Sequence, residues 1–118
     1  MTTQFTKILK KVVRTLKDKV IALLGFAAKA GSVCFGAAES IAAVRSKKAK
    51  CVFFASDISK KSRKEILFHC DRSGATAYEL NGMSMDELSH GIGRKCAVVA
   101  VTNDSFCKPI VSYLTSDI

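Results

Sequence analysis

Apolar residues recur at Ile8, Leu9, Val12, Val13, Leu16, Val20, Leu23, Leu24 and Ala27, close to helical spacing, and predict helix over residues 6–30. Gly31 is placed to stop it in a left-handed conformation. Asp18 marks where two helices meet, the first being an extension. Ser32 to Phe35 reads as a short strand, and Gly36 opens a helix from Ala37 to about Ser46. A basic turn, Arg45 to Lys50, then leads into Cys51-Val52-Phe53-Phe54-Ala55. That run is apolar at every position, which predicts a central strand covered on both faces. Ser59 or Ser62 caps a third helix reaching about Ser73, Ser62-x-x-Glu65 having the form of a capping box, and Gly74 ends it. Ala75 to Leu80 is a strand followed by an Asn81-Gly82 turn. Ser84-x-x-Glu87 starts a short helix to about His90. Ala97 to Thr102 is a second buried strand, and a last helix spans roughly Ser105 to Leu114, with Pro109 delaying its start or bending it.

Strands alternating with helices specify an α/β fold, a three-layer α/β/α sandwich with a small mixed sheet, plus a basic N-terminal helical extension. The chain of 118 residues has no linker or low-complexity tract, so residues 1–18 are expected to form the extension and 19–118 one domain. Strand order is not legible from periodicity. The longest apolar run, Val20 to Ala28, is far short of a membrane span. It continues with helical periodicity into Lys29-Ala30-Gly31, so it reads as a core helix rather than a signal peptide, and a cytoplasmic protein is expected.

Charge narrows the partner. The formal net charge is +9, with 19 Lys and Arg against 10 Asp and Glu. It concentrates in four clusters: Lys7/Lys10/Lys11/Arg14/Lys17/Lys19, Arg45/Lys47/Lys48/Lys50, Lys60/Lys61/Arg63/Lys64, and Arg94/Lys95. Such an excess attracts polyanions, whether nucleic acid, acidic protein or an anionic membrane surface. Trp is absent and most Phe residues fall on apolar strands or helix faces, so stacking on single strands is disfavoured against recognition of a folded RNA by shape and backbone.

Other chemistry finds little support. The five cysteines, Cys34, Cys51, Cys70, Cys96 and Cys107, form no C-x-x-C pair, and read as small core residues rather than a disulfide framework or metal site. His69 and Cys70 are adjacent on a helix, so their side chains diverge and make no nucleophile–base pair. Gly91-x-Gly93 follows a helix and lacks the third glycine of a dinucleotide fingerprint. Asp57 reads as a turn or cap residue with Ser59. No enzyme activity, cofactor or metal is expected.

Five segments then occur in a familiar order. They are Leu24-Gly25-Phe26-Ala27-Ala28-Lys29-Ala30-Gly31, Gly36-Ala37-Ala38-Glu39, Ala55-Ser56-Asp57-Ile58-Ser59, Glu87-Leu88-Ser89-His90-Gly91-Ile92-Gly93, and the stretch from Val98 to Phe106. In order and spacing they resemble the ribosomal L-seven-Ae/L-thirty-e family, particularly its small bacterial ribosomal-protein-like branch, over about residues 20 to 114. The resemblance implies a sandwich that binds RNA kink-turns or related internal loops, and structured RNA, ribosomal RNA above all, as the partner. In that family a Gly-x-Asn-Glu-x-x-Lys motif at a strand-to-helix junction meets tandem sheared G·A pairs, and an apolar loop before the last strand covers extruded nucleotides.

Carried over residue by residue, Gly36 and Glu39 match, with Ala37 between them, whereas Ala38 replaces Asn and Ala42 replaces Lys. Lys29 or Arg45 is the candidate for the missing cation. The second element maps to Gly93-Arg94-Lys95-Cys96, which is more basic than the family's apolar loop and points to phosphate contact. Two alternatives stay open: a protein–protein adaptor of the translation machinery, and an anionic-surface binder without specific RNA recognition.

Overall fold

The computed structural model describes residues 17–114. A helix α1 covers 17–29, and the order continues β1 (Val33–Phe35), α2 (Gly36–Arg45), β2 (Cys51–Ala55), α3 (Lys60–Ser73), β3 (Thr76–Leu80), α4 (Met85–Ile92), β4 (Val98–Val101) and α5 (Asp104–Leu114). The sheet has the order β1-β4-β2-β3. β4 is antiparallel to both β1 and β2, whereas β2 and β3 are parallel, which makes the sheet mixed.

Side chains alternate across a strand, and both sets here are apolar. Cys51, Phe53 and Ala55 of β2, with Val99 and Val101 of β4, pack with Val20 and Leu24 of α1, Leu88 of α4 and Ile110 of α5. Val52 and Phe54, with Val98 and Ala100, pack on the other face with Val44 of α2 and Ile66 and Cys70 of α3. The three-layer sandwich follows, with α1, α4 and α5 on one side and α2 and α3 on the other. Fully burying a Val, Leu, Ile or Phe side chain contributes about 1.5–3 kcal/mol, so these two cores hold the layers together.

Several local expectations are settled by the caps. Ser59, not Ser62, caps α3: its hydroxyl accepts the Ser62 N–H at 3.2 Å, which places Ser62 inside the first turn and sets aside the Ser62–Glu65 box. The Ser84–Glu87 box is formed, Ser84 Oγ accepting the Glu87 N–H at 3.2 Å. Asp57 does serve as a cap, though for α4, its Oδ1 accepting the Met85 N–H at 2.8 Å. Helix α5 begins at Asp104, well before Pro109, so the proline does not delay its start.

Helix endings differ in kind. α1, α3 and α4 are each followed by a glycine at positive φ, Gly31, Gly74 and Gly93, while after α2 that conformation falls on Lys47 at φ 63°. A side chain in the left-handed region costs roughly 1–2 kcal/mol.

Two expectations need correction or limits. Cys51 and Cys107 are disulfide-bonded across a sequence separation of 56, with Cα atoms 6.4 Å apart, so not all five cysteines are isolated core thiols. No local motif announces the pair, because only the packing of α5 on β2 brings it together. Of the N-terminal basic cluster, Lys7, Lys10, Lys11 and Arg14, with most of the proposed extension, lie outside the described residues. The described part of α1 begins at residue 17, so the expected meeting of two helices near Asp18 lies at the edge of the described residues. Lys17 is engaged inside the molecule, pairing with Glu87 and donating to Gly82 O at 2.7 Å, and Lys19 lies over the Tyr113 ring.

Candidate nucleic-acid interface

Strand polarity sorts the functional candidates to two ends of the sheet. Because β4 runs against β1 and β2, the exits of β1 and β2 lie beside the entry of β4. The starts of α2 and α3 therefore share one end with the α4–β4 loop, residues 93–97. The other end carries the close of α1, the turn 45–50 and the start of α5; there Lys50 N–H donates to Val101 O at 2.8 Å and Thr102 N–H to Ser32 O at 2.9 Å. We refer to these as the loop end and the turn end.

At the loop end α2 begins unusually. Serines close the starts of α3 and α4, and Asn103 Oδ1 accepts the Ser105 N–H at the start of α5. Phe35, at the same position for α2, makes no side-chain cap, and Gly36 follows it at φ 84°. No atom lies within 4 Å of where a Gly36 Cβ would stand, so the glycine is needed for its backbone angle, not for space. The first N–H groups of a helix have no partner within it and sit at the positive end of its dipole. Glu39 reaches back so that its Oε2 accepts the Phe35 N–H at 3.3 Å. Its second oxygen, on an exposed residue, remains available to a donor. Ala37 and Ala38 add no bulk that would keep a ligand from the backbone.

The α4–β4 loop is held against this helix start. Arg94 lays its guanidinium over the Phe35 ring, 4.6 Å from the centroid, a cation–π contact. Ser89 clamps the loop from beneath: its hydroxyl accepts the Cys96 N–H at 3.0 Å and donates to Cys96 O at 3.1 Å. Gly91 sets how closely α4 approaches α1, since a Cβ there would lie 2.1 Å from Ile21 Cγ2. Beside the loop an open groove of about 630 Å³ is lined by Asp86, Ser89, His90, Gly93, Arg94 and Lys95.

The residues proposed from sequence thus divide. Gly36, Ala37, Ala38, Glu39, Gly93, Arg94 and Lys95 come together at the loop end. Lys29 and Arg45 lie away from this group. Arg45 closes α2, whose ten residues carry it about 13–15 Å from Gly36, and Lys29 precedes the entry of β1. Cys96 is also withdrawn from the surface: it is buried, burial pushes its thiol pKa up, and both its backbone groups are bonded to Ser89.

Sequence reasoning left out of the site the start of α3. Lys60 and Lys61 are exposed in its first turn, which contains no acidic residue. Cations at a helix N-terminus oppose the dipole, so this placement costs local stability and concentrates positive potential at the loop end. The available signal was Ser59 as a cap followed at once by two lysines. Arg63 belongs elsewhere, being paired with Glu79 and lying over Phe54 at 5.3 Å. Phe35 was likewise unmarked, because its role depends on Arg94 arriving from a distant loop.

Comparison with known proteins gives a consistent picture. The family described as "Ribosomal protein L7Ae/L30e/S12e/Gadd45 family" matches residues 18–111. A protein of Enterococcus faecium named RNA-binding protein YlxQ is 30% identical over 92 residues, covering 78% of this chain and 87% of its own length. A solved structure of a protein of unknown function from Bacillus halodurans superposes with TM-score 0.78 at 22% identity, covering 83% of this chain and 98% of that one. The Giardia lamblia 15.5kD RNA binding protein superposes with TM-score 0.67 at 18% identity, over 85% of each chain.

Proposed function

The chain belongs to the ribosomal protein L7Ae/L30e/S12e/Gadd45 family, and on that premise we propose that it binds structured RNA through the loop end, recognising a kink-turn or a related internal loop. The observation that carries this reading is the meeting of an uncapped helix start with a stacked arginine: α2 lacks a side-chain cap, and Arg94 lies on Phe35 beside it. The first N–H groups of α2 donate to a phosphate at the helix start. The open oxygen of Glu39 accepts N–H donors from a guanine edge. The outer face of the Arg94 guanidinium offers a flat cation on which an unstacked base lies. Lys95, Lys60 and Lys61 surround these groups and hold the backbone.

Ala38 and Ala42 remove two base-directed side chains of the family pattern. The proposed RNA is therefore an internal loop in which phosphate and stacking contacts carry more of the recognition than in a standard kink-turn. The relatives from Enterococcus faecium and Giardia lamblia are both named as RNA-binding proteins, which supports the partner class. Association with ribosomal RNA in the cytoplasm is part of the proposal. Binding rather than catalysis is the function proposed: His69 packs edge-on to Phe68, and Ser89, the hydroxyl that shares a groove with His90, is engaged by both backbone groups of Cys96.

Crosslinking in cells followed by sequencing of the bound RNA tests the reading. The expected result is recovery of one or a few folded RNAs with the crosslink at an internal loop, attached to peptides containing Phe35–Glu39 or Arg94. Crosslinks scattered over unrelated RNAs, or concentrated on single strands, would contradict it.

A further inference from the structure

At the turn end, four cations stand within six residues: Arg45, Lys47, Lys48 and Lys50. All four are exposed, and the two ion pairs among the described residues, Lys17–Glu87 and Arg63–Glu79, involve none of them. Among the described residues the acids at this end of the fold are on other elements, Asp104 opening α5 and Asp71 near the close of α3. A cation at the end of a helix complements its dipole, which accounts for Arg45. It does not account for the three lysines that follow.

The backbone of the turn is also held by hydrogen bonds. Lys47 N–H donates to Val44 O at 3.1 Å, Lys48 N–H to Ala43 O at 2.9 Å, Ala49 N–H to Ala43 O at 3.1 Å and Lys50 N–H to Val101 O at 2.8 Å. Ala49 is buried among them and anchors the turn to the core. The lysine side chains therefore leave a fixed backbone, in place to meet a fixed array of charge.

Lys47 points to a purpose beyond folding. Three other helices of this chain place glycine at the left-handed residue that follows them, and here alone among the described residues a side chain takes a positive φ. Glycine would relieve the backbone, so the turn retains a cation against local conformational preference. A strained lysine at this position fits a surface whose charge is used, where stability and function trade off.

We propose that the turn 45–50 is a second RNA contact, gripping the phosphate backbone of a helical arm that flanks the loop bound at the loop end. This rests on the proposed binding of RNA at the loop end. The two sites lie at opposite ends of α2, about 15 Å apart along its axis. An arm leaving the loop end along α2 reaches the turn, while a short arm stops before it. Four unpaired cations with no aromatic side chain between them suit backbone contact and carry no base preference.

The test uses the full chain and three RNAs: an internal loop with short arms, the same loop with one arm extended past α2, and a plain duplex. Lys47→Gly is expected to raise the melting temperature by a few degrees, and to weaken binding to the long-arm RNA about three-fold while leaving the short-arm RNA unchanged. Lys47→Gly with Lys48→Gln and Lys50→Gln is expected to abolish the advantage of the long arm and to lower the salt slope of log K by about 2–3, close to 0.9 for each phosphate no longer neutralised. Unchanged long-arm affinity and slope in the folded triple variant would overturn the proposal. So would loss of binding to anionic vesicles or to an acidic protein with RNA affinity intact, which would assign the turn to that partner. If the loop-end reading alone fails, loop and duplex bind equally, yet the triple variant still weakens the duplex.

Discussion

The loop end and the turn end carry similar positive charge and organise it in opposite ways. At the loop end three groups are placed by others: Glu39 by the Phe35 N–H, Arg94 by the Phe35 ring, and the loop at Cys96 by Ser89. Cations there are mixed with a carboxylate acceptor, free helix N–H groups and a flat guanidinium, a set able to distinguish one RNA surface from another. In the turn 45–50 the backbone is organised, and the four cations carry no ion pair among the described residues. Charge concentration by itself is thus a poor guide to specificity. What separates a reading surface from a holding surface is whether acceptors and planar groups are fixed among the cations.

The comparison breaks most visibly at Arg94 and Glu39. Replacing both with Ala is expected to cost about 2–6 kcal/mol of binding to an internal-loop RNA, at roughly 1–3 kcal/mol for each specific polar or stacking contact. Binding to plain duplex should fall only a few-fold, as isothermal titration with both RNAs checks. Next in size is Gly91→Ala. Its methyl collides with the β-branched Ile21, so α4 must shift, with a loss of about 1–3 kcal/mol in chemical denaturation and a several-fold loss of loop-RNA affinity through the displaced residues 93–95.

Lys60→Gln with Lys61→Gln sharpens the contrast in the other direction. Removing two cations from the α3 start relieves the dipole and should raise stability by a few tenths of a kcal/mol while weakening loop and duplex RNA alike. The smallest effect lies at Glu87, whose carboxyl Lys17 holds below its usual value by hydrogen bonding and charge. A depressed folded pKa contributes stability above the ordinary value of 4.5, lost as pH falls through the folded value. The melting-temperature gap between wild type and Glu87→Gln should therefore be present at neutral pH and close in acid, with loop-RNA binding at neutral pH unaffected.

Sequence made the layers legible because both faces of β2 and β4 are continuously apolar, and because the Gly and Ser punctuation falls where helices start and stop. The strand order was not legible, since nothing in Val98–Val101 says that it inserts between β1 and β2. That single insertion decides the site. It brings Arg94 onto Phe35, whereas Lys29 and Arg45 lie at the far end because one precedes β1 and the other closes α2. Cys96 was misplaced for a different reason. Its neighbours Arg94 and Lys95 are exposed, but the loop turns inward at Ser89 and takes the thiol into the core. Cys51 and Cys107 pair only through tertiary packing, which periodicity does not encode.

The division between reading and holding is tested most directly by one ratio, the affinity for an internal-loop RNA over that for a duplex of equal length, measured at fixed salt. For the wild type the ratio should be well above one. Glu39→Ala with Arg94→Ala should bring it near one, whereas Lys47→Gly with Lys48→Gln and Lys50→Gln should leave it near the wild-type value when the loop RNA has short arms and the duplex is too short to reach the turn. A ratio that survives the loop-end substitutions, or that falls with the turn-end ones, would contradict the account.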